Sequence, residues 1–205
     1  MITKELIIET ATKLFMQHGV KTITIDRIVR ELRTSKRTLY SHFEDKVTLL
    51  RACLDVYNTK VRAENEEIIR TSENVIEAMG HLHQKIVSRS HQINPNFFGD
   101  ILHYYPGALS ESYKRNGNYA HQQLIHIAAE GIKDGIFQED MDVEVVGKTV
   151  LTLLKSLKDT EQFPVAEFSK ERLTIGIMVP YLRGLCTRKG IDLLHIQEEL
   201  FRVQI

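Results

Sequence analysis

Apolar side chains recur at helical spacing along almost the whole chain, and little interrupts them. Ile7, Ala11, Leu14 and Phe15 fall at i, i+4, i+7 and i+8, and Ile25, Ile28, Val29 and Leu32 at i, i+3, i+4 and i+7. Only 4 Pro and 11 Gly occur among 205 residues, too few for a turn-rich β fold. Apolar residues make up 42% and charged residues 26%, a balance that supports a packed core and excludes a disordered or low-complexity chain. The expectation is an all-α protein.

Start and stop signals divide the first fifty residues into short helices. Thr3 can cap the first, and Gly19 can end it by taking a left-handed conformation. Thr24 resembles a second cap, with Asp26 in the first turn. Ser35 can cap a third, short helix that buries Leu39 and runs out near Phe43. Asp45 can start a fourth, with Leu49, Leu50, Cys53, Leu54 and Tyr57 facing inward. Three short helices, the last two separated by a very short turn, form a helix-turn-helix pattern. Periodicity alone fits an ordinary three-helix bundle equally well.

Charge separates these alternatives. The 27 Lys and Arg balance the 27 Asp and Glu over the chain. Residues 1–51, however, hold 10 Lys and Arg against 6 Asp and Glu, and residues 52–205 hold 17 against 21. A basic head on an acidic body suits a polyanion-binding module. Arg30, Arg33, Lys36 and Arg37 cluster around the turn and the start of the third helix, with Thr38, Tyr40, Ser41 and His42 adding hydrogen-bonding groups. A helix entering a DNA groove needs small or polar groups at base edges and cations at flanking phosphates.

Leu14-Phe15, Gly19, Thr24, Ile28, Ser35, the run Thr38-Leu39-Tyr40-Ser41-His42-Phe43, Lys46 and Leu49-Leu50 together resemble the N-terminal domain of the TetR (tetracycline repressor) family of transcriptional regulators, over roughly residues 5–52. The resemblance implies a three-helix helix-turn-helix DNA-binding domain over residues 1–45. An α-helical ligand-binding and dimerisation domain over residues 46–205 would follow it. It implies that Tyr40, His42 and Lys46 contact phosphates. Lys36, Arg37 and Thr38 would face the groove, with Ser35 near its edge. Thr24 and Arg33 complete the candidate DNA-binding set. The family usually has Gly where this chain has Arg33, and a small residue where it has Arg37. A non-Gly residue at a left-handed position costs roughly 1 kcal/mol. Either the turn differs here, or the strain is tolerated for a contact with DNA. Arg37 is expected to approach a guanine edge.

Further helices are expected near residues 46–63, 73–91, 95–104, 107–130, 143–159 and 169–187, with a last short one over 191–202. Asp142 and Ser169 are candidate caps, and Pro180 predicts a kink or a lost backbone hydrogen bond. The segments 143–159 and 169–187 carry broad apolar faces. They suit either an internal core or, as the resemblance implies, a homodimer through a four-helix bundle. Phe97, Phe98, Ile101 and Tyr105 concentrate aromatic and aliphatic area, and Tyr57, His83, Tyr113 and His121 could meet them around a small-molecule effector. The same residues could equally build core.

Other chemistry is poorly supported. The nine His are dispersed, no Cys-x-x-Cys or His-Glu-x-x-His occurs, and Gly131 and Gly135 read as an inter-helix connection rather than a phosphate cradle. No metal, cofactor or catalytic residue is expected. Cys53 and Cys186 are expected buried and reduced. The N-terminus lacks the pattern of a signal peptide, and no stretch is long enough to span a bilayer, so a cytoplasmic protein without membrane contact is expected. The leading expectation is a ligand-responsive repressor that binds a palindromic double-stranded DNA operator as a homodimer. The alternatives are a regulator whose body is a protein-interaction module, and an α-helical enzyme whose N-terminal bundle is structural.

Overall fold

The computed structural model describes residues 2–157, 162–164 and 167–202, with the side chains of 109–118, 170 and 171 outside that description. Its elements are α1 (Lys4–His18), α2 (Ile25–Glu31), α3 (Lys36–Tyr40), α4 (Lys46–Thr71), α5 (Val75–Gln92), α6 (Asn96–Tyr104), α7 (Pro106–Lys133) and α8 (Val143–Ser156). They are followed by α9 (Lys170–Leu173), α10 (Val179–Leu185) and α11 (Arg188–Ile196). Among the described residues there is no β-strand, only an isolated antiparallel bridge between Phe137 and Cys186. The protein is all-α.

The helices begin where their caps predict. The hydroxyls of Thr3, Thr24 and Ser35 accept from the backbone N–H of Leu6, Arg27 and Thr38. The Asp45 carboxylate accepts from Thr48 N–H at the head of α4. Asp142 accepts from Glu144 and Val145, and Ser169 from Arg172. Each cap satisfies one or two donors that a helix start leaves orphaned.

Boundaries and irregularities differ from expectation for identifiable reasons. Gly19 ends α1 at positive φ, but its φ of 83 and ψ of 155 lie outside the left-handed helical region. This extended mirror conformation is accessible essentially to Gly, and a Cβ there would sit 2.9 Å from Asp100 Oδ2. α4 runs eight residues beyond its expected end at 63. No Gly or Pro interrupts it, and an Arg70–Glu67 pair supports its last turn. Gly131 lies inside α7, not in the connection. A Cβ there would meet Phe137 Cδ2 at 2.2 Å, so Gly is required by close packing. Gly135, at φ 64, does make the turn. At the expected kink, a π-helical turn, Thr174–Met178, joins α9 to α10, with Val179 N–H donating to Thr174 O. Pro180 has no N–H for the carbonyl four residues back, and the widened turn absorbs that mismatch. α11 starts earlier than 191 because Thr187 accepts from Gly190 N–H. A 3-10 turn, Glu198–Phe201, follows it.

The chain divides into two compact units, Met1–Glu64 with Ser88–Asn116, and Asn65–Val87 with Gly117–Ile205. The division therefore passes through α4, α5 and α7. In the first unit Ile7, Phe15, Ile28, Leu39, Leu49 and Leu50 form a closed core, joined by Phe97 and Ile101 of α6. In the second, Ile76, Ile127, Ile136, Phe137, Leu182, Leu194 and Phe201 do the same. Both cysteines are free and buried. Burial pushes the Cys53 thiol up to about 12 and the Cys186 thiol to about 11, so neither is a thiolate at neutral pH.

His83 belongs to the second unit and stacks on Phe201 at 6.3 Å between ring centroids. Its Nε2 is buried without a hydrogen-bond partner, and desolvation lowers its pKa from the ordinary 6.5. The folded chain therefore favours the neutral ring. Below about 6.5 the unfolded chain binds the proton more readily, so this contribution to stability is complete above that pH and is lost as pH falls. The thermal midpoint is expected to drop between about pH 7 and pH 5, and His83→Phe should flatten that drop. Equal pH profiles for the two proteins would contradict this account.

Candidate nucleic-acid interface

α2 and α3 pack through one side of each helix. Ile28, Val29, Leu39 and Phe43 are buried, and the turn between the helices is closed by Arg33 N–H to Arg30 O and Thr34 N–H to Val29 O. Because Leu39 and Phe43 face inward, the other side of α3 faces outward. Lys36, Arg37, Tyr40, Ser41 and His42 are exposed, as are Arg30 and Arg33 beside them. Tyr40, a large aromatic, keeps 48% of its surface accessible. The expected cluster of cations and hydrogen-bonding groups is thus brought together on one outward surface.

Several of the expected groups are already partly engaged. Ser35 Oγ accepts from Thr38 N–H at 3.1 Å and lies 3.0 Å from Thr38 Oγ1, so these hydroxyls hold the first turn of α3 as well as bordering its face. Thr24 plays the same capping part for α2. Lys46 departs furthest from its expected phosphate contact. Its Nζ donates to Val20 O at 2.6 Å and lies over the rings of Phe15 and Tyr105 at 5.7 and 5.5 Å. In this structure it is a tie inside the head, since an ammonium over aromatic faces with a carbonyl partner is satisfied locally.

Arg33 settles the question left by its sequence position. Its φ is 51, the only positive φ outside Gly among the described residues, so the turn keeps the geometry that favours Gly and Arg bears the strain. Arg33→Gly is therefore expected to raise unfolding free energy by about 1 kcal/mol. It should also lower affinity for DNA through the lost cation. Urea titration and DNA titration on the same protein test both signs, and a loss of stability would contradict the strain.

Sequence reasoning missed several groups that tie the end of α1, the loop after it and the start of α3. Asn94 N–H donates to Met16 O at 2.7 Å, at the open end of α1. Asp100 Oδ2 accepts from Lys21 N–H at 2.7 Å, and Lys21 Nζ donates to the Tyr104 hydroxyl at 2.6 Å, which holds that ammonium above its ordinary pKa. Lys36 Nζ lies 2.8 Å from Asp26 Oδ1. Partners so far apart in the chain leave no local pattern.

The expected ligand residues are divided between the two units. Phe97 and Ile101 are core residues of the first unit, with 3% and 0% of their surface accessible. Tyr105 packs against the same core, and Phe98, edge-on to Phe97, is 47% accessible. Tyr57 also belongs to the first unit, and burial pushes its hydroxyl pKa up. His83 and His121 belong to the second, where His121 packs on Gly147. Tyr113 falls among the residues whose side chains lie outside the description. A cleft of about 520 Å³ in the second unit is lined by Ile132, Gly135, Phe137, Gln138, Glu139, Asp140 and Thr187, none of them expected. Among the described residues no group of His, Cys, Asp and Glu could hold a metal ion, and no helix is long and apolar enough to cross a membrane.

The exposed cations around α3 of this helix-turn-helix make it a candidate nucleic-acid interface. Residues 7–53 match the family of bacterial regulatory proteins known as tetR. A 57-residue stretch is 40% identical to the HTH-type transcriptional regulator YuxN of Bacillus subtilis; it makes up 28% of this chain and spans only 20% of YuxN's length. Solved structures share the fold over nearly the whole chain. A TetR-family transcriptional regulator from Streptomyces coelicolor has a TM-score of 0.62 at 20% identity, over 95% of this chain and 92% of its own. A protein from Saccharomonospora viridis, described as a transcriptional regulator and crystallised in complex with choline, has a TM-score of 0.72 at 17% identity, over 89% and 96%. A gamma-butyrolactone receptor has a TM-score of 0.63 at 18% identity, over 97% and 96%. The likeness to the tetR family is carried by residues 7–53, and over the rest of the chain the solved structures share the fold.

Proposed function

We propose that this regulator is a repressor that binds a palindromic operator as a homodimer and releases it when a small molecule occupies its body. The observation that carries the reading is the outward face of α3 and the turn after it, where Arg37, Tyr40 and His42 are exposed while Leu39 is buried behind them. Residues 1–45 would be the DNA-binding domain and residues 46–205 the ligand-binding and dimerisation domain. Thr24, Arg33, Ser35, Lys36, Arg37, Thr38, Tyr40 and His42 would meet DNA.

The segments 143–159 and 169–187 would form the dimer. Support comes from the half-buried Leu153, Leu154, Ile177 and Tyr181, which leave apolar area for a partner. Two copies of α3 would then stand about 34–36 Å apart, one turn of B-DNA, or a multiple of it. Phosphate contacts would make affinity fall steeply with salt. The choline bound to the Saccharomonospora viridis relative supports a small-molecule effector here, without naming it. A ligand that favours one tilt of α4 by about 1–3 kcal/mol would weaken operator binding appreciably. The protein would work in the cytoplasm.

Selection of bound duplexes from a random pool tests the reading. The expected product is a two-fold symmetric motif whose half-sites are separated by about one helical turn. Recovery of no enriched motif, or of an asymmetric single site, would overturn the homodimeric operator.

A further inference from the structure

Lys36 differs from the other cations on this surface. Its Nζ lies 2.8 Å from Asp26 Oδ1, and the pair links the first turn of α3 to the first turn of α2. The two side chains remain 55% and 61% exposed, so water screens the attraction and the pair adds little to stability. Asp26 also has a cost. A carboxylate on a surface that approaches phosphates repels every duplex alike, whatever its sequence. Arg27, Arg30, Arg33 and Arg37 are exposed in the same stretch of chain, so the general attraction persists while Asp26 subtracts from it.

The carboxylate gives direction in return. A lysine carries its charge on a flexible four-carbon stem and ordinarily samples many positions. Paired across the meeting of α2 and α3, the Lys36 ammonium is biased toward one position relative to α3 before DNA arrives. An ordered group loses less conformational freedom on binding. We propose that Asp26 is a specificity-determining positioning residue: it lowers affinity for DNA in general and orients Lys36 for the matched site. The inference rests on the DNA-binding reading above.

The test compares the native chain, Asp26→Asn, Lys36→Met and the double variant on two duplexes, the motif selected by the native chain and an unrelated sequence of equal length. Asp26→Asn is expected to bind the unrelated duplex about threefold tighter, the effect of releasing one weakly paired cation. Its salt dependence should steepen by about one ion per subunit. It should bind the selected motif no tighter, so the ratio of the two affinities falls at least threefold. In the Lys36→Met background the same change should move both duplexes by one factor and leave the ratio alone. Equal gains on both duplexes in the native background would overturn the proposal and leave Asp26 a simple repulsive charge. Equal losses, with a lowered thermal midpoint, would overturn it in favour of a purely structural role in α2. If the native chain bound no duplex, the DNA-binding reading would fall and this inference with it, an outcome distinct from the other two.

Discussion

Leu39→Ala is expected to remove about 2–5 kcal/mol of stability, the usual range for a closed aliphatic core position, and with it all measurable DNA binding. α3 spans only five residues, from Lys36 to Tyr40. A helix of that length does not persist alone in water. Its N-terminus is held by the Ser35 cap, its body by Leu39, which has no accessible surface, and its end by Phe43 N–H donating to Leu39 O. Truncating Leu39 leaves a cavity in the core that it shares with Ile28, Val29 and Phe43 and weakens the burial that orients the exposed face. Leu39→Met preserves volume and should cost less than about 1.5 kcal/mol, with DNA binding retained. Urea unfolding followed by helix signal, together with duplex titration, gives both numbers. A Leu39→Ala protein with native stability and native affinity would show that α3 is held by something other than this contact.

Arg37→Ala is expected to cost about 1–3 kcal/mol of affinity for the matched duplex and to relax selectivity at one base position. The guanidinium is exposed one residue into α3, on a helix that presents no other arginine. Its forked donors match the two acceptors on a guanine edge, which lysine cannot grip in the same bidentate way. The salt dependence should change little, because a base contact releases few counterions. If Arg37→Ala weakens all sequences by one factor and lowers the salt slope by about one, Arg37 is a phosphate contact. Repeating the random-pool selection with the variant separates these outcomes directly.

The parts of this molecule legible in its sequence are those whose causes are local. Thr3, Thr24, Ser35, Asp142 and Ser169 cap helices within three residues of themselves. The resemblance marked position 33 as one that favours Gly and left open a different turn or a strained Arg33; the φ of 51 decides for strain. The outward run from Lys36 to His42 followed from Leu39 and Phe43 being the apolar members of that stretch. Partners were harder to read. Phe97 and Ile101 announce a buried face on α6, but periodicity does not say which neighbour buries it, and here it is the core of the first unit. Gly131 reads as a turn residue until Phe137 is seen packed over it.

The order of the amino acids by itself settled that this chain is helical, where its first helices begin, and which side of α3 can carry positive charge outward. Those properties arise from hydrogen bonds and apolar contacts spanning three or four residues. The tertiary structure alone decided that Lys46 turns inward to Val20 O, 26 residues away. It also decided that Lys36 is tied to Asp26 and that Asp100 and Tyr104 hold Lys21. A long charged side chain has many conformations of nearly equal energy, and only the carbonyls, carboxylates and rings that packing brings within about 3–6 Å select one of them.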